Sequence, residues 1–301
     1  MNLYDRKYNF LKYKKSFMFI SLIFFILSIL LFYVKGLNLG VDFKGGTVIE
    51  MKFDQPNNSE EIRKSLLKID LGDVKVKEFG SNKEFLATIE QKGKNNDFVN
   101  SIKIQLEKDL NIKIDFRRVE VVGSKVSKEL TIDGIYSVII ALTLMLIYIW
   151  FRFEWQFSLG SIIALVHDVI ITIGVFSLIG YEFNLSIVAA ILTIVGYSMN
   201  DTVIIYDRIR EFLKKDDKQD IIELINDSIN STLSRTLKTS GTTLLALISI
   251  YFFGGEILKG FSFALIWGII IGTYSSIFIA SPILIYFNVK RNWEEVVDNT
   301  P

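Results

Sequence analysis

The chain has 301 residues, of which 50% are hydrophobic and 22% charged, with a formal net charge of +1. This is too apolar for an ordinary soluble domain and too charged for a protein wholly in lipid, so a molecule divided between membrane and water is predicted. The near-neutral balance excludes a global positive field for nucleic acid, and the absence of cysteine excludes disulfides, thiol nucleophiles and thiolate metal sites.

A basic segment, 1–16, precedes the first long apolar run at 17–34. Lys12, Lys14 and Lys15 give it the look of a signal peptide, but it is long and lacks an Ala-x-Ala cleavage site, so it reads as a retained anchor. Residues 35–130 alternate short patterns, with strands expected at 47–53, 74–79, 85–90 and 112–122 and helices at 59–69 and 97–110. That β-α-β-β-α-β order predicts a small ferredoxin-like α+β domain. Ser59, followed by Glu60 and Glu61, is the expected N-cap of its first helix, and Gly80-Ser81-Asn82 the expected hairpin turn. Its charges are intermixed and it has no histidine. A docking or lever role is expected of it, with no cofactor and no metal.

Five more apolar runs follow, at 131–151, 157–179, 185–206, 237–253 and 261–286. Backbone amides cannot stay unpaired in hydrocarbon, and about 20 helical residues cross roughly 30 Å. The predicted fold class is therefore an α-helical polytopic membrane protein with six transmembrane helices. The fifth, polar at Thr239 to Thr243, is the one that could be re-entrant. Arg6, Lys7, Lys12, Lys14, Lys15, Arg152, Arg208, Arg210, Lys214, Lys215, Lys218, Arg235, Lys238, Lys290 and Arg291 fall on the side of the N-terminus, against Lys259 alone in the short loops opposite. Both termini, including 287–301, are thus expected in the cytoplasm and the 35–130 domain outside it. Residues 207–236 carry Ile221, Ile222, Leu224, Ile225 and Ile229 at helical spacing, predicting an amphipathic cytoplasmic connector on the membrane interface or against a partner.

The polar residues inside the spans are the candidate site. Asp201, after Asn200 in the fourth span, would cost several kcal/mol as an isolated charge, so it should face protein or a hydrated cavity. Arg235 precedes the fifth span at similar depth. A mobile Asp201–Arg235 pair would be a charge switch, and a permanent one only a structural tie. In the third span lie His167, the sole histidine, and Asp168. Adjacent helical positions point about 100° apart, so the two need not touch. Gly196, with Asn200, and the Gly268-x-x-x-Gly272 spacing predict close helix packing, and Pro282 a kink or stop in the last span. Asp168 and Asp201 superficially supply the two acids of an intramembrane protease, but H-E-x-x-H, G-x-S-x-G and P-loop patterns are all missing.

Five motifs carry a resemblance. They are Gly40-Val41-Asp42-Phe43-Lys44-Gly45-Gly46 after the first span; Val195-Gly196-Tyr197-Ser198-Met199-Asn200-Asp201-Thr202-Val203, running on to Tyr206-Asp207-Arg208; Leu233-Ser234-Arg235-Thr236 with Thr239-Ser240; Phe252-Phe253-Gly254-Gly255; and Gly272-Thr273-Tyr274-Ser275-Ser276 leading to Ala280-Ser281-Pro282. Together they resemble the SecD/SecF family of bacterial protein-export subunits, on the SecF side. The resemblance implies an RND-type half of a membrane domain in the cytoplasmic (inner) membrane, paired with SecD. It also implies association with the SecYEG channel and YajC, a functional link to SecA, and promotion of preprotein translocation by the proton motive force without enzymatic catalysis. The proton-conducting residues would fall on Asp201 and Arg235, with Asn200 and Asp168 as neighbours. A related exporter of lipids or small molecules and a purely structural scaffold are the competing readings.

Overall fold

The computed structural model describes residues 8–69, 71–90, 96–215, 219–287 and 289. Arg6, Lys7, Lys218, Lys290 and Arg291, and most of 287–301, lie outside the described residues. In chain order the elements are α1 (Lys14–Lys35), β1 (Asn38–Leu39), α2 (Val41–Lys44), β2 (Gly46–Phe53), α3 (Ser59–Leu66), β3 (Val74–Phe79), β4 (Ser81–Ile89), α4 (Asn96–Leu110), β5 (Ile114–Val122), α5 (Ser124–Arg152), α6 (Trp155–Ile179), β6 (Glu182–Phe183), α7 (Leu185–Lys215), α8 (Ile221–Phe253), α9 (Gly255–Ser275) and α10 (Ser281–Tyr286).

Among the described residues, six helices are long and apolar enough to cross a membrane: α1 with the 3-10 turn before it, α5, α6, α7, α8, and α9 continued through α10. Their burial sorts them into two layers. In the most apolar stretch of α6, of α7 and of the α9–α10 run 56% of residues are buried, against 11% in α1 and α5 and 17% in α8. The first three are the inner helices, and the others turn most of their apolar surface outward, as a helix bathed in lipid does.

The α+β domain rises between α1 and α5. Its sheet has the order β3-β4-β2-β5 with every neighbouring pair antiparallel, as a ferredoxin-like β-α-β-β-α-β chain requires. Alternation along the strands puts Ile49, Met51 and Phe53 of β2 and Phe85, Ala87 and Ile89 of β4 into one core. Ile62 and Leu66 of α3 and Ile102 and Leu106 of α4 complete that core, all fully buried. Two local expectations are corrected. The N-cap of α3 is Asn58, whose side chain accepts from the Glu60 N–H at 2.9 Å, and Ser59 is already helical. The hairpin turn is tighter than expected: β4 begins at Ser81, and Gly80 alone, at φ +79°, reverses the chain, a conformation glycine adopts without a Cβ penalty.

Asp109 ties α4 to α3, accepting from Lys68 Nζ and Ser65 Oγ, each at 2.9 Å. The Lys68 hydrogen bond, then that of Ser65, holds its carboxyl below the usual aspartate value. A carboxyl with a depressed folded-state pKa contributes stability above its unfolded pKa and loses it as pH falls through the folded value. The protection factors of α3 and α4 against hydrogen exchange, corrected for the intrinsic slowing of exchange in acid, are therefore expected to fall on acidification in the intact chain, and less steeply in Asp109→Asn.

Residues 207–236, expected as an amphipathic connector, form no element of their own among the described residues. α7 continues past the expected span end to Lys215, and α8 starts at Ile221, with Asp220 as N-cap accepting from Ile222 N at 3.2 Å. The connector's Leu224, Ile225 and Ile229 are buried in one core with Ile209 and Leu213 of α7 and with Leu11. The chain's own N-terminal segment crosses α8 here: Asn226 Oδ1 accepts from Phe10 N and Asn230 Oδ1 from Tyr8 N, both at 2.8 Å. The apolar stripe thus has an intramolecular partner.

Candidate functional site

A carboxylate in hydrocarbon needs hydrogen-bond donors. Asp168 of α6, 1% exposed, obtains three. Its Oδ2 accepts from Ser198 Oγ of α7 and Ser275 Oγ of α9, both at 2.7 Å, and its Oδ1 lies 3.0 Å from His167 Nδ1. The two neighbours that need not touch do so. The His167 ring lies parallel to Phe25 of α1, with 6.5 Å between centroids. Its buried Nε2 has no hydrogen-bond partner among the described residues, and the residue lines a cavity of about 530 Å³ with Ser21, Leu22, Phe25 and Ile163.

Asp201 of α7 is fully buried. Its Oδ2 accepts from Thr273 Oγ1 of α9 at 3.1 Å and, at 3.5 Å, from Ser240 Oγ of α8, and those two hydroxyls are 3.1 Å apart. Oδ1 has no partner. The structure holds Asp201 without an ion pair to Arg235, which is exposed on α8. Asn200 is exposed too. The structure therefore brings together His167 with Asp168, and places Asp201 on the same inner helices, while Asn200 and Arg235 stand outside.

Small residues set these distances. A Cβ on Gly268 would stand 2.3 Å from Ile194 side-chain carbons, and one on Gly272 would stand 2.8 Å from Ser198 Cβ, so α9 lies against α7 as their spacing predicts. That approach delivers Thr273 and Ser275 to the two aspartates. Gly196 does not serve as expected: it is exposed, with nothing within 4 Å of a Cβ there. The sequence reading missed Gly174, where a Cβ would meet Ser28 of α1 at 2.3 Å. Its signal was the seven-residue spacing of Ser21 and Ser28, the buried residues of α1.

Pro282 neither stops nor sharply breaks the last span. It occupies the first turn of α10, after a π-helical stretch at Ser276–Ala280. The carbonyls loosened there are taken up by side chains, Ser281 Oγ donating to Ser276 O at 2.7 Å and Tyr206 Oη to Ala280 O at 3.0 Å.

The glycine-rich motif lies at the opposite, domain-facing end of α7. β1 and β6 form a two-stranded parallel sheet, pairing Asn38 with Glu182 and Leu39 with Phe183, and Gly40 N donates to Phe183 O at 2.9 Å. Any Cβ on Gly40 would strike the Glu182 side chain at 2.7 Å. Asp42 Oδ2 accepts from Leu185 N, the first N–H of α7, at 2.9 Å. Phe43 packs on Phe183 at 5.9 Å between centroids, and Gly45 and Gly46, at φ +78° and +140°, turn the chain into β2.

Two family models match the chain: one described as "Protein export membrane protein SecD/SecF, C-terminal" over residues 102–290, and "SecD/SecF GG Motif" over residues 30–56. A protein translocase subunit SecF of Desulfurispirillum indicum is 43% identical over 278 residues, covering 90% of this chain and 88% of the relative. One of Rickettsia rickettsii is 42% identical over 293 residues, covering 97% and 95%. Among solved structures, SecDF of Thermus thermophilus, described as a translocon-associated membrane protein, superposes with a TM-score of 0.85 at 34% identity, and SecDF in a super-membrane-facing form with 0.71 at 32%. Each match covers 95% of this chain but 39% of the SecDF chain, so this protein corresponds to well under half of that polypeptide. The six-helix bundle, the domain set between its first two spans and these matches together place the chain in the SecD/SecF family of protein export membrane proteins.

Proposed function

We propose that the chain works as a SecF-type subunit, paired with SecD and associated with SecYEG and YajC, that uses the proton motive force to promote preprotein export after SecA-driven entry. In this reading it is a multi-pass protein of the cytoplasmic membrane with both termini in the cytoplasm and the α+β domain outside. The observation that carries it is the setting of Asp168 and Asp201. Each is buried among spanning helices and held by hydroxyls from other helices, and among the described residues His167, beside Asp168, is the only side chain able to carry a positive charge within ion-pairing distance of either. Protonating either acid weakens charge-assisted bonds that tie α6, α7, α8 and α9 together, so proton occupancy alters helix packing. Arg235 is the cation that can approach Asp201 when the packing changes, with Asn200 and His167 as neighbours of the route.

The energy is sufficient. One charge moved through 100 mV of potential yields about 2.3 kcal/mol, enough to shift a two-state equilibrium about fiftyfold. The test is preprotein export into membrane vesicles containing the SecD partner, with and without an imposed proton motive force. A force-dependent increment that requires this chain supports the reading. Equal export with and without the chain, at full force, overturns it.

A further inference from the structure

We infer that Asp42 is the positioning residue through which movement of α7 reaches the outer domain; this rests on the proton-coupled reading above. α7 is the helix that holds Asp201 and supplies Ser198 to Asp168, so any change in the charge of either acid acts on it directly. Its first N–H is held by the Asp42 carboxylate, on the short helix α2. An anion at a helix N-terminus meets both an unpaired N–H and the positive end of the helix dipole, which makes this a strong attachment at the end of a rigid rod.

From Asp42 the linkage to the domain has almost no slack. The two residues after α2 are Gly45 and Gly46, and Gly46 already pairs with Val122 of β5 as the first residue of β2. A Cβ on Gly46 would stand 2.4 Å from Ile89 O, so the backbone is pressed against β4 as well. On the other side, the bond from Gly40 to Phe183 and the β1–β6 pairing fasten α2 to the residues that lead into α7. A tilt or axial shift of α7 therefore displaces α2, and α2 displaces β2, the central strand that bonds to both β4 and β5.

The chain has no cysteine, so engineered cysteines accept spin labels without background. One label pair, at Thr193 on α7 and Tyr148 on α5, reports movement of α7. A second, at Lys64 on α3 and Tyr148, reports movement of the domain. Both are measured in the full chain assembled with SecD in nanodiscs, with Asp201 native or replaced by Asn as a permanently neutral side chain. The expected result is that Asp201→Asn shifts both distances. Adding Asp42→Ala leaves the α7 shift and cuts the domain shift at least about twofold, the β1–β6 pairing and the Gly40–Phe183 bond carrying the remainder. Adding Asp42→Asn, which keeps an oxygen able to cap the helix, restores the full domain shift. The retained α7 shift in Asp42→Ala shows that the bundle is folded.

A domain shift cut by less than about twofold in Asp42→Ala overturns the role of Asp42 and leaves proton coupling standing. A native motif that transmits no domain shift while α7 moves does the same. If Asp201→Asn moves neither pair, the proton-coupled reading fails, and the inference falls with it.

Discussion

Asp201→Asn is expected to remove the whole force-dependent increment of export while the force-independent part remains. The substitution keeps the size of the side chain and one oxygen to accept from Thr273 and Ser240, so the packing of α7 against α8 and α9 has no reason to collapse. What it removes is the negative charge, and with it any difference between a proton-loaded and a proton-free state. A ligand, here a proton, shifts an equilibrium only by its differential binding to the two states, and a side chain that cannot bind it contributes none. Vesicles with equal amounts of assembled native and Asp201→Asn protein provide the measurement. An unchanged increment would exclude this carboxylate from the mechanism and leave the polar cluster a structural core.

Gly268→Ala is expected to cost about 1–3 kcal/mol, the usual range for forcing extra atoms into a packed core. The new Cβ would meet Ile194, whose branched side chain has few alternative rotamers. The informative variant is the double one. Ile194→Ala alone opens a cavity at a cost of about 2–5 kcal/mol, but combined with Gly268→Ala it gains a methyl where the isoleucine stood. The double substitution is expected to lose less than the sum of the singles, the signature of two residues sharing one space. Thermal unfolding of the purified protein in detergent measures all three. Strict additivity would mean that α7 and α9 do not meet through this pair.

The spans and the domain were legible because their signals are local. Apolar runs of about 20 residues declare a membrane helix wherever they occur, and period-two against period-3.6 patterning separated the strands from the helices of 35–130. Errors arose where a boundary depends on distant packing. Residues 207–236 look like an independent amphipathic helix because the sequence does not announce that Leu11 covers them. In the site, buried charges are conspicuous in a lipid setting, so Asp168 and Asp201 stood out at once. Their actual partners, Ser198, Ser240, Thr273 and Ser275, lie within the quoted motifs but were not assigned to the acids, since hydroxyl residues are common in spanning helices and only the meeting of α7, α8 and α9 selects these four. Gly196 shows the same limit in reverse: a glycine permits an approach, but only a facing helix uses it.

The hold of Asn226 and Asn230 on Tyr8 and Phe10 has a consequence for the order in which the molecule is built. Tyr8 and Phe10 leave the ribosome more than two hundred positions before their partners, 216 residues ahead for Phe10 and 222 for Tyr8. Until α8 is made, the peptide groups of this segment have water instead of those asparagines. During synthesis the segment ahead of the first anchor is thus a latch left open, closing only when the fifth span arrives. In the proposed topology, a protease acting on the cytoplasmic side should cut nascent chains there as long as they end before Asn226 and spare those long enough for Asn230 to have left the ribosome.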